Sequence, residues 1–358
     1  MNPTLKLLQI IDSPFAPAES VKIESRIEAI KLYEHAKKNK IGLLYLEALR
    51  KEEVLEKFGL LSEWQKENRR YNEQLTTVAR FSSVLNSLNV EYAVFKSVMP
   101  FKMVPNDVDV LFFGSDEEYY KLVEVLPNFG YEKIVDVPSP VEVMFHDLRS
   151  QPHEDPKEKD VFDVDLYREA GASYMVYLDK RKLRKHITEV YVFEERVKVL
   201  KPEADLIALY THAIIPEFIF TLSLYYITLY YLSKMKKGNL KNLLSISKEN
   251  HVICPLKYHC SLIAGLHKAA HGFVPEKIKV VLAELGEETN ERKNLVKTSF
   301  MMPHHYSWSI ILRMLLEKAG EDEFRRSMIK QILYMLLNPK LAKWVICNVM
   351  RRRRRETY

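Results

Sequence analysis

The 358-residue chain reads as an α+β protein with a mixed β-sheet. Three observations predict this. Apolar residues recur at helical spacing before residue 88, strand-like alternation runs through 89–200, and helical spacing returns from Pro202 onward. The chain therefore divides into an N-terminal helical region (1–88), an α+β core (89–200) and a C-terminal helical region with a basic tail (201–358).

Taken in order, Val21 to Lys40 carries Ile23, Ile27, Ile30 and Leu32 among Glu and Lys, and Leu43, Leu44, Leu46, Leu49 and Val54 continue the pattern. Leu61 to Leu88 predicts one long helix, with Ser62 as N-cap and Gln65 three residues on. Glu91 to Phe95 predicts a strand. Lys96-Ser97 follows directly, and Pro100 and Pro105 make Val98 to Asn106 a loop. Ser115 caps a predicted helix to Leu126. Tyr131 to Val135 and Val141 to Phe145 predict strands, and the polar, proline-containing stretch His146 to Asp160 predicts a loop, either a plain hairpin connection or a mobile segment beside the site. Val190 to Phe193 and Val197 to Leu200 predict a hairpin. Phe218 to Ser233 is sixteen residues without a charge. It is shorter than the roughly 20 apolar residues a spanning helix needs, so a buried helix is the expectation.

Two Asp-Val-Asp pairs carry the chemistry: Asp107-Val108-Asp109 opening one strand run and Asp163-Val164-Asp165 inside another. Alternate residues of a strand share a face, so both acids of each pair point the same way. Crowded carboxylates repel one another, and a divalent cation such as Mg²⁺ is the usual reason to tolerate them. The order is strand, Lys-Ser, loop, acid-bearing strand, then a second acid-bearing strand.

Over roughly residues 70–232 this layout resembles the nucleotidyltransferase superfamily of DNA polymerase β-like folds. More narrowly, it is similar to an uncharacterised archaeal and bacterial group in which Lys-Gly or Lys-Ser/Thr precedes an Asp-x-Asp strand. The resemblance implies a nucleotidyltransferase palm over 89–200 and two Mg²⁺ (or Mn²⁺) ions held by Asp107, Asp109 and a third acid. Asp165, followed by Leu166-Tyr167, fits the family's third position better than Asp163, the alternate. Lys201-Pro202-Glu203-Ala204-Asp205-Leu206 and His212 match a helix that follows the third strand in that family. The superfamily's usual Gly-Gly or Gly-Ser ahead of the first pair is here Lys96-Ser97, and no glycine lies between Glu91 and Gly114. Triphosphate contacts then fall to Ser97, with Lys96 or Lys102 supplying charge. The implied activity is transfer of a nucleoside monophosphate from an NTP to an acceptor hydroxyl, with RNA slightly favoured as acceptor. The rivals are a catalytically degenerate nucleotide- or RNA-binding protein and a peripheral membrane protein.

Composition supports a globular protein, with 47% hydrophobic and 28% charged residues. Five glutamines against abundant Lys, Glu and Ile suggest a thermophile. Three cysteines are too few for a disulfide framework, and Met1 to Ala16 lacks a signal-peptide pattern, so a reduced cytoplasmic setting is expected. Of the net charge of +6, Arg351 to Arg355 and Glu356 leave only +2 to the rest of the chain. That tail suits phosphates of RNA or of a membrane surface, or simply solvent. Lys180 to Lys185 is a second basic run. His251, Cys254, His259 and Cys260 lack zinc-site spacing. No Walker loop, Gly-x-Gly-x-x-Gly or serine-hydrolase elbow is present.

Overall fold

The computed structural model describes residues 2–18, 22–134, 141–150, 162–286, 295–339, 342–343 and 347. The chain is a mixed α+β protein. Five helices come first: α1 (Pro3–Ile10), α2 (Arg26–Lys38), α3 (Gly42–Lys51), α4 (Leu55–Phe58) and α5 (Leu61–Ser87). Gly59 ends α4 with a φ of 64°, and Leu60 immediately becomes the N-cap of α5. Ser62 therefore falls inside the first turn instead of capping it.

The central part contains β1 (Tyr92–Val94), β2 (Val108–Phe112), α6 (Asp116–Val125), β3 (Tyr131–Lys133), β4 (Glu142–Asp147), β5 (Val164–Tyr167), β6 (Ala170–Ala172), β7 (Met175–Leu178), α7 (Lys180–Arg184), β8 (Ile187–Val192) and β9 (Glu195–Leu200). Ser115 caps α6 as expected, in a reciprocal capping box with Glu118. His146, expected in a loop, belongs to β4, because that strand continues until Asp147 pairs with Tyr131. Of the rest of the expected loop, Leu148 to Ser150 follow β4, and 151–160 lie outside the described residues. The tail Arg351 to Arg355 also lies outside them.

Seven strands form one sheet in the order β3-β4-β5-β2-β1-β9-β8. The β2–β5 and β1–β9 pairs are parallel and the others antiparallel. Strand β2 is the fourth of the seven. Its alternation sorts side chains between two cores. Val108, Val110 and Phe112 join Val164 and Leu166 of β5 beneath Phe81 and Leu85 of α5 and Leu122 of α6. Leu111, Phe113 and Tyr167 face the opposite way, into a core built from helices. On that second face, the starts of β2 and β5 carry acids.

The C-terminal part adds α8 (Pro202–Ile214), β10 (Ile219–Phe220), α9 (Leu222–Lys234), α10 (Lys237–Glu249), α11 (Ile253–His271), α12 (Glu276–Leu285), β11 (His304–His305), α13 (Trp308–Lys318) and α14 (Asp322–Leu337). Helix α9 is the predicted uncharged segment and is buried along nearly its whole length. No helix among the described residues is long and apolar enough to cross a membrane. His259 is a core residue: it is fully buried, stacks on Tyr210, and bonds to the Pro255 carbonyl and the Tyr306 hydroxyl. The basic run on α7 is largely committed to ion pairs. Arg181 pairs with Asp179 and Glu323, Lys182 with Glu321, Arg184 with Glu91 and Lys185 with Glu249.

The N- and C-terminal helices share a single apolar core, which joins Leu7, Leu32 and Tyr45 to Leu206, Tyr225 and Leu266. Asn39, fully buried at the end of α2, fastens them together. Thr221, the N-cap of α9, makes no side-chain cap. Asn39 supplies it from a distance: its Oδ1 accepts from Leu222 N at 3.3 Å and its carbonyl from Ser223 N at 3.1 Å. Two of the amides that a helix start leaves without intrahelical partners are thus satisfied. Replacing Asn39 by Ala leaves the Leu222 amide buried and unpaired, and denaturant unfolding should record a loss of about 2 kcal/mol with an unchanged m-value.

Candidate active site

Parallel pairing of β2 and β5 sets Asp109 opposite Asp165. Adjacent strands lie about 4.8 Å apart, so the two carboxylates are neighbours on the same face. Asp107 is two residues earlier on that face. All three line a cleft of about 290 Å³ between the sheet and the helical core, which Glu142, Tyr167, His212 and Glu217 also border. Asp109 and Asp165 are 6% and 7% exposed, which makes their crowding costly. Burial, then repulsion from Asp109, pushes the Asp107 carboxyl up to about 7. Burial, then repulsion from Asp107 and Asp109, pushes Asp165 up to about 9. One Asp165 oxygen is buried without a hydrogen-bond partner.

Asp163 has a different setting. Its carboxylate meets His146 Nδ1 at 3.2 Å and does not border the cleft, while its carbonyl accepts from Val108 N at 2.9 Å. Within the second Asp-Val-Asp pair, Asp165 is the acid that joins Asp107 and Asp109.

Lys96 and Ser97 form the turn leaving β1. Lys96 has a φ of 58°, in the left-handed region that costs a side-chain-bearing residue about 1–2 kcal/mol. The turn is held from several sides. Lys96 N donates to Asp205 Oδ1 at 2.8 Å, and Asp205 Oδ2 accepts from the Tyr231 hydroxyl at 3.0 Å. The Ser97 hydroxyl donates to the Phe95 carbonyl at 3.1 Å and accepts from Asp109 N at 2.9 Å. Gln74 Nε2 donates to the Ser97 carbonyl at 3.0 Å. Ser97 is thus a buried brace that fixes Asp109. Burial raises the Asp205 carboxyl to about 6, against the lowering effect of these bonds.

The Lys96 ammonium reaches into the cleft and stands 3.3 Å from Asp109 Oδ1 and 3.5 Å from His212 Nδ1. Burial opposes its charge, but Asp109, Tyr177 and Asp107 outweigh it and hold the ammonium above its usual range. Burial, then the nearby Lys96, lowers His212 below the usual imidazole range. Lys102 lies elsewhere, its ammonium bonded to Glu47 and Asn68 at 3.1 and 3.0 Å. The cleft's second lysine is instead Lys40, just past α2. Nothing in the sequence pattern ties Lys40 to the acids, because its approach depends on how the N-terminal helices dock. Glu142 was missed for a related reason: it reaches the site only because β4 pairs with β5.

Hard carboxylate oxygens, mutual repulsion and an unpartnered Asp165 oxygen fit a divalent cation. In their present positions, no three His, Cys, Asp or Glu side chains among the described residues already close around one point. A larger cavity of about 570 Å³ beneath α14 carries no such bias, since Arg168, Arg181, Arg326 and Lys330 there are matched by Asp116, Glu169, Asp322 and Glu323.

No protein-family model and no curated protein matches this chain. Among solved structures, an antigenic nucleotidyltransferase-like protein from Paracoccidioides brasiliensis is similar at 14% identity, covering 63% of this chain and 91% of that one with a TM-score of 0.29.

Proposed function

We propose that this chain is a metal-dependent nucleotidyltransferase that moves a nucleoside monophosphate from an NTP to an acceptor hydroxyl. The single observation that supports it most is the trio Asp107, Asp109 and Asp165, gathered on one face by neighbouring parallel strands. Phosphoryl and nucleotidyl transfer need positioning and charge neutralisation more than covalent help from the protein. Asp107, Asp109 and Asp165 would hold Mg²⁺ or Mn²⁺, which when bound lowers the acceptor hydroxyl's pKa and neutralises the triphosphate. Lys40 and Lys96, on the same cleft, supply positive charge for phosphate oxygens. Asp205 and Ser97 keep the Lys96 turn and Asp109 in place, and Tyr167 forms part of the wall. The acceptor hydroxyl attacks the α-phosphorus, the bond to the bridging oxygen breaks, and pyrophosphate leaves. RNA is the acceptor we favour, with the Arg351 to Arg355 tail as a second phosphate contact.

One observation favours a second reading, a nucleotide- or RNA-binding protein that has lost chemistry: the Lys96 ammonium already sits on Asp109. The decisive assay supplies each α-labelled NTP with Mg²⁺ or Mn²⁺ and total RNA or protein extract. Label transfer supports the enzyme, and NTP binding without transfer under every condition supports the degenerate form.

Given transfer, Asp109→Asn should lower its rate by about two orders of magnitude or more while leaving the protein folded by circular dichroism. The two later acids should separate. Asp165→Ala is expected to match Asp109→Asn, whereas Asp163→Ala, which loses only the His146 contact, should cost less than about tenfold. Equal losses would mean that Asp163 also reaches the reacting groups. A thermal measurement checks the cluster independently of activity. Mn²⁺ should raise the melting temperature of the native protein. In chelator at neutral pH, Asp165→Asn should melt close to the native protein, whose Asp165 carboxyl is pushed up to about 9 and so already carries a proton, and it should respond little to Mn²⁺.

A further inference from the structure

Lys96 combines features that neither a phosphate contact nor a structural lysine requires. It occupies a left-handed backbone position, it is 6% exposed, and its ammonium lies against Asp109 Oδ1. The rings of Phe95 and Tyr167 flank that ammonium at 4.6 and 5.1 Å. Its backbone amide is tied to buried Asp205 on α8, and the next residue bonds to the amide of Asp109 itself. The turn therefore aims a positive charge back across the strand at the acid cluster. A buried ion pair of this kind costs desolvation on both sides and persists where the partner would otherwise be an uncompensated charge.

Resting on the metal-site reading above, we propose that Lys96 is the resident counter-ion of the carboxylate trio: its ammonium holds the Asp109 side of the cleft while no metal is bound, and a divalent cation enters by displacing it. This makes Lys96 a positioning residue with two stations. Without metal it neutralises Asp109 and keeps the three acids together. With metal it is released from Asp109 within the cleft, where the triphosphate's negative charge replaces that of Asp109. The price is metal affinity, since an incoming cation competes with a charge that is already paired. The side chain at this position therefore sets how strongly the site binds metal before nucleotide arrives, and it favours joint arrival of metal and NTP.

The test measures Mn²⁺ binding by isothermal titration, without nucleotide, in the full-length native protein, Lys96→Met and Lys96→Gly. Methionine keeps the stem and removes the charge, and glycine suits the left-handed backbone. Both variants should bind Mn²⁺ about tenfold tighter or better than the native protein, because the competing charge is gone. In chelator, Lys96→Met should melt below the native protein, and saturating Mn²⁺ should close that gap. Should Lys96→Met fail to fold in chelator, refolding on Mn²⁺ addition supports the counter-ion role, and Lys96→Gly still supplies the affinity comparison. Mn²⁺ affinity that is unchanged or weaker in both variants overturns the proposal and leaves the metal site standing. Absence of Mn²⁺ binding in all three proteins overturns both readings.

Discussion

The parallel pairing of β2 with β5 is the constraint on which the rest of this structure depends. Its register puts Asp109 beside Asp165, and the pleat fixes which face they share. A slip of one residue would turn the acids into the Val110 and Leu166 core and present valines to the cleft. Apolar burial on the other face guards against that slip, since Val108, Val110, Val164 and Leu166 are all fully buried. The site is thus held in place by hydrophobic packing that contains none of its chemistry.

Around that pair, the protein spends its polar interactions on a single turn. Asp205, Tyr231, Gln74 and Ser97 converge on Lys96-Ser97, and their bonds link the long helix α5, the sheet and the helix α8. A residue that would ordinarily avoid positive φ is kept there by this convergence. The helix that carries Asp205 also carries His212, so the same element that fixes the turn's backbone meets its ammonium.

Much of this was legible in the sequence because it is local. Alternation within β2 and β5 identified the acids and their shared face, Ser115 marked the start of α6, and the uncharged run of α9 marked a buried helix. The choice of Asp165 over Asp163 came from resemblance, and the cleft's geometry groups the same acid with the first pair. What was illegible depends on pieces distant in sequence. Ser62 was misread as a cap because Gly59 and Leu60 bring the helix start forward. Lys102 looked as good as any lysine near the acids, whereas Lys40 reaches the cleft only through docking of the N-terminal helices. The left-handed geometry of Lys96 left no trace in composition, since a glycine would have announced it and a lysine does not.

Sharing one core between the first and last helices has a consequence for how the protein is made. Leu7, Leu32 and Tyr45 emerge from the ribosome long before Leu266 and Met314, which complete the same core. The sheet with α5 and α6 has its own apolar core and can condense earlier. The opening helices can pack on one another and on α5 early, but the face of α1 that meets α11 stays uncovered until more than two hundred further residues have been synthesised. At about 5–20 residues per second that interval lasts on the order of ten seconds or more, a window in which a chaperone or a nascent neighbour competes for the same surface.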